Sequence, residues 1–119
     1  MVLLNRFNIS LLSNRYPSQL SGGQQQKVTL ARLLSVEPKV LCLDEVTSAL
    51  DPFAKADIYR IIGELKSEGR IVLISTHDLH YARRHADQII YLVDGSIAMK
   101  GSPQEVMLSN KDPFFEILR

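Results

Sequence analysis

The chain has 119 residues, 45% hydrophobic and 23% charged, with a formal net charge of +1. That is enough for one modest domain with its own core, and it excludes a disordered chain. The near-neutral balance also excludes the basic excess of a nucleic-acid binder, so no nucleic-acid partner is expected.

Val2 to Phe7 reads as a short apolar helix. The apolar start is cut off by Asn5 and Arg6, too early for a signal peptide. No apolar run is long enough to cross a bilayer, so the expected address is the cytosol. Asn8 to Gln19 is loop-like, and Tyr16-Pro17 breaks any helix there. Gln24 to Val36 predicts a helix with Val28, Ala31 and Leu34 on one face, ended by Glu37-Pro38. Val40 to Leu43 is a continuous apolar run, as expected of a strand covered on both faces. Within it Cys42 is the only cysteine, so no internal disulfide forms. A small buried hydrophobe is its expected role, rather than a reactive thiol.

Asp51-Pro52 predicts an N-cap with Pro at the first helical position. Ala54, Ile58, Ile61, Ile62 and Leu65 follow at helical spacing, and Gly69 supplies the stop. Ile71 to Ile74 predicts a second buried strand and Leu79 to Ala86 a helix. Ile89 to Val93 predicts a third strand, joined through an Asp94-Gly95 hairpin to Ser96–Met99. Ser102-Pro103-Gln104-Glu105 is a capping box that opens a short helix, and Asp112-Pro113 opens another. Strands alternating with helices indicate an α/β layer with a mostly parallel sheet, to which the hairpin would add an antiparallel edge.

Three places carry chemistry. Leu20-Ser21-Gly22-Gly23-Gln24 is a Gly-Gly turn running into a helix. Glycine lets backbone approach a ligand, and the helix start offers free N–H groups and a positive dipole end to an anion such as phosphate. Ser21 adds a hydroxyl. The plainer reading is a helix N-cap. Asp44-Glu45 ends the first apolar strand, where α/β sheets gather ligands. There Asp44 suits Mg²⁺, and Glu45 suits orienting or deprotonating a water; a solvated acidic turn is the alternative. Ser75-Thr76-His77-Asp78 ends the second strand, where His77 can reach a phosphate or serve as a polar helix cap. A zinc cluster of His77, His80 and His85 lacks zinc-helix spacing. Between these places lies the polar loop Thr47 to Asp51, which leads into the capped helix.

Leu-Ser-Gly-Gly-Gln, Leu-Cys-Leu-Asp-Glu, Ser-Ala-Leu-Asp and Ser-Thr-His-Asp, in that order, resemble the nucleotide-binding subunit of ABC transporters from about Asn5 to Lys100. The resemblance implies that Leu20 to Gln24 is the signature motif and Val40 to Asp44 the Walker B strand. It implies Glu45 as the catalytic carboxylate, Ser48 to Asp51 as the D-loop and His77 as the switch histidine. ATP would then be the substrate, with Ser21, Gly22, Gly23, Gln24 and Asp51 facing nucleotide and Asp44 facing Mg²⁺. It further implies a second ATPase subunit paired head to tail, a transporter membrane subunit, and a place on the inner face of the cell membrane. Tyr16 to Gln19 looks like the bacterial importer branch, and Glu45 to Pro52 resembles polar amino-acid importers.

Val46 stands where the family usually has Pro, and Lys27 where Arg is usual, which keeps the charge but loses the planar fork. No Gly-x-x-x-x-Gly-Lys-Ser/Thr occurs in the sequence. That segment cradles phosphates in P-loop enzymes. The chain therefore resembles the second half of an ABC-type P-loop ATPase. Residues 1–36 would be a remnant of the helical subdomain, and residues 37–119 would run from Walker B to the end of the catalytic core. Three functions compete: an ATPase subunit completed by a Walker A-bearing partner, a non-catalytic module whose signature completes a partner's ATP site, and a non-transport ABC protein of DNA repair or translation. The last is disfavoured by the lack of long heptads and basic excess.

Overall fold

In the computed structural model the structure describes residues 2–109. The predicted helix at Asp112-Pro113 lies outside them. The chain divides into two compact units, the first ending at Ser75 and the second starting at Thr76.

The first unit holds α1 (Val2–Arg6), α2 (Gly22–Leu34), β1 (Val40–Asp44), α3 (Pro52–Ser67) and β2 (Ile71–Ser75), with two 3₁₀ turns at Ser10–Leu12 and Pro17–Gln19. β1 and β2 pair in parallel, with Val40 opposite Ile71 and Asp44 opposite Ser75. A parallel pair needs a crossover, and α3 supplies it. Asp51 caps α3 by accepting from the backbone N–H of Phe53 and Ala54 at 3.0 and 3.1 Å, and Pro52 takes the first helical position. Gly69, at φ +81°, makes the stop. The predicted stripe buries Ile58, Ile61, Ile62 and Leu65 against Leu30, Ala31 and Leu34 of α2 and Leu41 and Leu43 of β1, with Phe7 and Ile9 closing the cluster. Arg6 pins α1 to the far end of α3 through Glu68 at 2.5 Å.

The strands of this unit correct two expectations. β1 alternates exposed and buried residues along its length, and β2 alternates exposed and half-buried ones. Neither is covered on both faces. Cys42 is exposed rather than buried. Successive strand side chains point to opposite faces. Leu41 and Leu43 enter the core, while Val40, Cys42, Ile71 and Leu73 lie on the other face, which the unit's helices leave open.

The second unit holds α4 (Leu79–His85), β3 (Ile89–Val93), β4 (Ser96–Gly101) and α5 (Pro103–Ser109). Asp94 and Gly95 both have positive φ, +49° and +75°, as a two-residue hairpin turn of this hand requires. Among the described residues β3 and β4 pair only with each other, as a separate antiparallel sheet. Among these residues, then, the hairpin does not add the expected antiparallel edge to the β1–β2 pair. The capping box forms as predicted, with Ser102 N–H donating to Glu105 Oε2 at 2.7 Å and Glu105 N–H to Ser102 Oγ at 3.3 Å. The Ser102 backbone N–H, followed by the Ser102 hydroxyl, holds the Glu105 carboxyl below its usual range. Val106 and Met107 pack with Leu79, Ala82, Ile89, Tyr91 and Met99.

Candidate functional site

The turn before α2 is held from both sides. Ser21 Oγ accepts from Gln24 N–H at 3.3 Å, and Gln24 Oε1 accepts from Ser21 N–H at 3.0 Å, a reciprocal capping box. Gln25 reaches back from the first turn and donates to the carbonyls of Pro17 and Leu20 at 2.9 and 3.3 Å. The loop Tyr16 to Leu20 is therefore tied to the helix it precedes. Ser21 and Gly22 are exposed and Gly23 is buried. The side chain of Gln24 is engaged in the cap.

The carboxylate pair sits at the end of β1. Asp44 is exposed, and one of its oxygens accepts from the Ser75 hydroxyl. Glu45 N–H donates to both the carbonyl and the Oγ of Ser75, at 3.2 and 3.1 Å. One hydroxyl at the end of β2 thus joins both acidic residues. Glu45 has φ +47°, the left-handed region that a non-glycine residue occupies only when its surroundings hold it there. Its own carbonyl accepts from Ser48 N–H at 3.1 Å and Ser48 Oγ at 3.0 Å, which closes the turn behind it. Neither the strained backbone nor the Ser75 clamp was read from the sequence. The signal was there: Ser75 is the first residue of the polar run that ends β2.

The loop from Thr47 to Asp51 is anchored by Thr47, the buried polar residue of the described chain, whose hydroxyl lies 3.1 Å from the Tyr59 hydroxyl on α3. Asp51 is committed to capping α3. This loop also meets the α2 turn: a Cβ built on Gly22 would lie 3.6 Å from Leu50 Cδ2, and one built on Gly23 would lie 2.7 Å from Ala54 Cβ. One turn further on, Lys27 forms an ion pair with Asp57. Lys27, and behind it Arg60, hold the Asp57 carboxyl below its usual range against a partly opposing desolvation.

His77 belongs to the second unit and is exposed. It does not cap α4. Asp78 does, accepting from Tyr81 N–H at 2.9 Å, and its own N–H donates to Thr76 Oγ1 at 3.0 Å. The structure thus joins the Ser21 turn to the 47–51 loop, and Asp44 to Glu45 through Ser75. His77 stands at the head of the other unit.

One exposed carboxylate at a strand end fits Mg²⁺ shared with a phosphate, since this ion takes few carboxylates and completes its shell with phosphate oxygens and water. No cluster of three or more His, Cys, Asp or Glu able to hold a metal occurs among the described residues.

The ABC transporter family matches residues 1–48. The arginine transport ATP-binding protein ArgV of Corynebacterium glutamicum is 38% identical over 94% of this chain and 44% of its own length. The glutamine transport ATP-binding protein GlnQ of Escherichia coli is 41% identical over 91% of this chain and 45% of its own length. The ADP conformation of MJ1267, an ATP-binding cassette of an ABC transporter, superposes with a TM-score of 0.84 at 28% identity, over 99% of this chain and 48% of that one. The dimeric post-hydrolysis structure of the MJ0796 cassette, bound to ADP and Pi, has a TM-score of 0.75 at 34% identity. The chain spans a little under half the length of these relatives. With the signature-like turn, the paired carboxylates and the capped loop in this order on an α/β frame, the chain belongs to the ATP-binding domain family of ABC transporters.

Proposed function

We propose that these 119 residues form the rear part of the ATP-binding subunit of an importer for a polar amino acid. Such a subunit couples ATP binding and hydrolysis to transport once a Walker A-bearing polypeptide completes the site. The observation that carries the reading is Glu45, a carboxylate held at positive φ at a strand end beside Asp44. Its backbone is clamped before any ligand arrives, so the carboxylate needs little reorganisation to orient a water. Asp44 would hold Mg²⁺, which supplies neutralisation of phosphate charge when bound. His77 would contact the γ-phosphate, and Ser21, Gly22, Gly23 and the capped Asp51 loop would face the nucleotide of a second ATPase subunit paired head to tail. The arginine and glutamine importers among the relatives support the cargo class. No described helix is long and apolar enough to cross a membrane. A transporter membrane subunit would therefore hold the assembly on the inner face of the cell membrane, with no nucleic acid involved.

A second reading is favoured by the preformed, exposed Ser21 turn: a non-catalytic module whose signature completes a partner's ATP site. One experiment separates the two. The chain alone is expected to show no Mg²⁺-dependent ATPase. Mixed with a polypeptide carrying the phosphate loop, it should hydrolyse ATP. Glu45→Gln or His77→Ala should then cost orders of magnitude in rate. Nucleotide-dependent association without hydrolysis supports the second reading. Restored hydrolysis indifferent to both substitutions refutes the assigned roles.

A further inference from the structure

We propose that Tyr59 of α3 is a positioning residue for the loop from Thr47 to Asp51. Through the Thr47 hydroxyl it holds both turns of that loop, and so sets how Ser48 and Ala49 are presented to a second ATPase subunit. The functional part of this inference rests on the reading above.

The loop is fixed at its far end by Asp51, which caps α3. Before that cap run two overlapping turns. Ser48 N–H donates to the Glu45 carbonyl at 3.1 Å, and Leu50 N–H donates to the Thr47 carbonyl at 3.3 Å. Thr47 lies inside the first turn and opens the second. A hold on this one residue therefore holds both. Ser48 and Ala49 are exposed, and exposed turn hydrogen bonds open readily on their own.

The hold comes from another part of the chain. Thr47 is buried, and its hydroxyl lies 3.1 Å from that of Tyr59, 12 residues later. Tyr59 sits about two turns along α3 from the Asp51 cap. The cap bonds reach only the first turn of the helix, whereas Tyr59 ties the loop to the helix body. The Tyr59 ring packs against the core cluster that contains Ile58, Ile61 and Ile62. The Lys55 ammonium, one turn back on the same face, lies 5.9 Å from the ring centroid. The ring is thus seated by the core, and its hydroxyl serves the loop. Phenylalanine would fill the same seat without that handle. A bond of this kind shifts an equilibrium about fivefold, too little to decide the fold and enough to bias a two-turn loop.

Tyr59→Phe, Thr47→Val, the double variant and Thr47→Ser are compared in the full chain. Denaturant unfolding gives the first readout. Each hydroxyl deletion should lower the folded-to-unfolded ratio about fivefold. The double variant should lose about fivefold less than the product of the two singles, since the second deletion breaks a bond already gone. A double variant that loses the full product overturns the tether.

The second readout is affinity for a full-length ATPase subunit loaded with ATP against ADP, with its hydrolysis blocked. The wild type and Thr47→Ser, which keeps the hydroxyl, should prefer the ATP form. Tyr59→Phe, Thr47→Val and the double variant should all lose most of that preference. The double variant separates positioning from stability: its unfolding loss is partly relieved, but its loop has no tether. A preference that survives Tyr59→Phe, or that returns in the double variant, overturns the positioning role. A wild-type chain indifferent to nucleotide refutes the proposed function, and the tether is then judged by the unfolding cycle.

Discussion

The two faces of the β1–β2 pair have similar composition and opposite fates. One carries Leu41 and Leu43, closed over by α2 and α3. The other carries Val40, Ile71 and Leu73, which are 49, 60 and 52% exposed, with Cys42 among them. Strands apolar on both faces are characteristic of parallel sheets covered on both sides. The residues were chosen for two covers, and the first unit builds one. An exposed apolar face and open strand edges of this kind are an aggregation hazard.

Thiol labelling tests this contrast most sharply. Cys42 should react with a soluble probe in the chain alone and fall silent when a phosphate-loop-bearing polypeptide joins it. Continued reaction in a hydrolysing complex would show that the open face stays open. In stability, Leu41→Ala should cost about 2–5 kcal/mol by leaving a cavity. Leu73→Ala, on the opposite face in register with Cys42, should stay within about 0.5 kcal/mol, as exposed substitutions do. Equal losses in denaturant unfolding would mean that both faces are already packed.

Smaller effects test how the covered side is assembled. Asp51→Ala removes the acceptor for two N–H groups of α3 and should cost about 1 kcal/mol. A similar loss is expected for Thr47→Val, which removes the bond between the Thr47 and Tyr59 hydroxyls. The smallest effect is that of pH. The Asp57 carboxyl is lowered chiefly by Lys27, so its contribution is present above the ordinary carboxylate range. It is lost as pH falls through the lowered value. Asp57→Asn should flatten that part of the acid-stability profile, read from unfolding midpoints between pH 6 and the acid limit; an unchanged slope would show that the pair contributes nothing.

The local elements were legible from Asp51-Pro52, Gly69, Asp94-Gly95 and Ser102 to Glu105, because caps and turns are decided by residues within one turn of each other. The order of motifs around Ser21, Asp44, Glu45 and His77 was enough to point to the family. Burial of β1 and Cys42 was misread because an apolar run reports what a strand is suited to, not what covers it here. The hairpin was expected at a sheet edge because sequence alternation does not say which edge a strand will join.

By itself, then, the sequence determined where helices start and stop, which stripe of α3 is apolar and which polar residues fall at strand ends. Those properties depend on backbone sterics and on spacing along the chain. Only the tertiary structure decided that Ser75 joins Asp44 to Glu45 across 30 residues, that Glu45 is held at positive φ, and that Ala54 leaves no room beside Gly23. Each of these depends on two segments meeting through the β1–α3–β2 crossover, and distances of that kind are fixed by packing rather than by local preference.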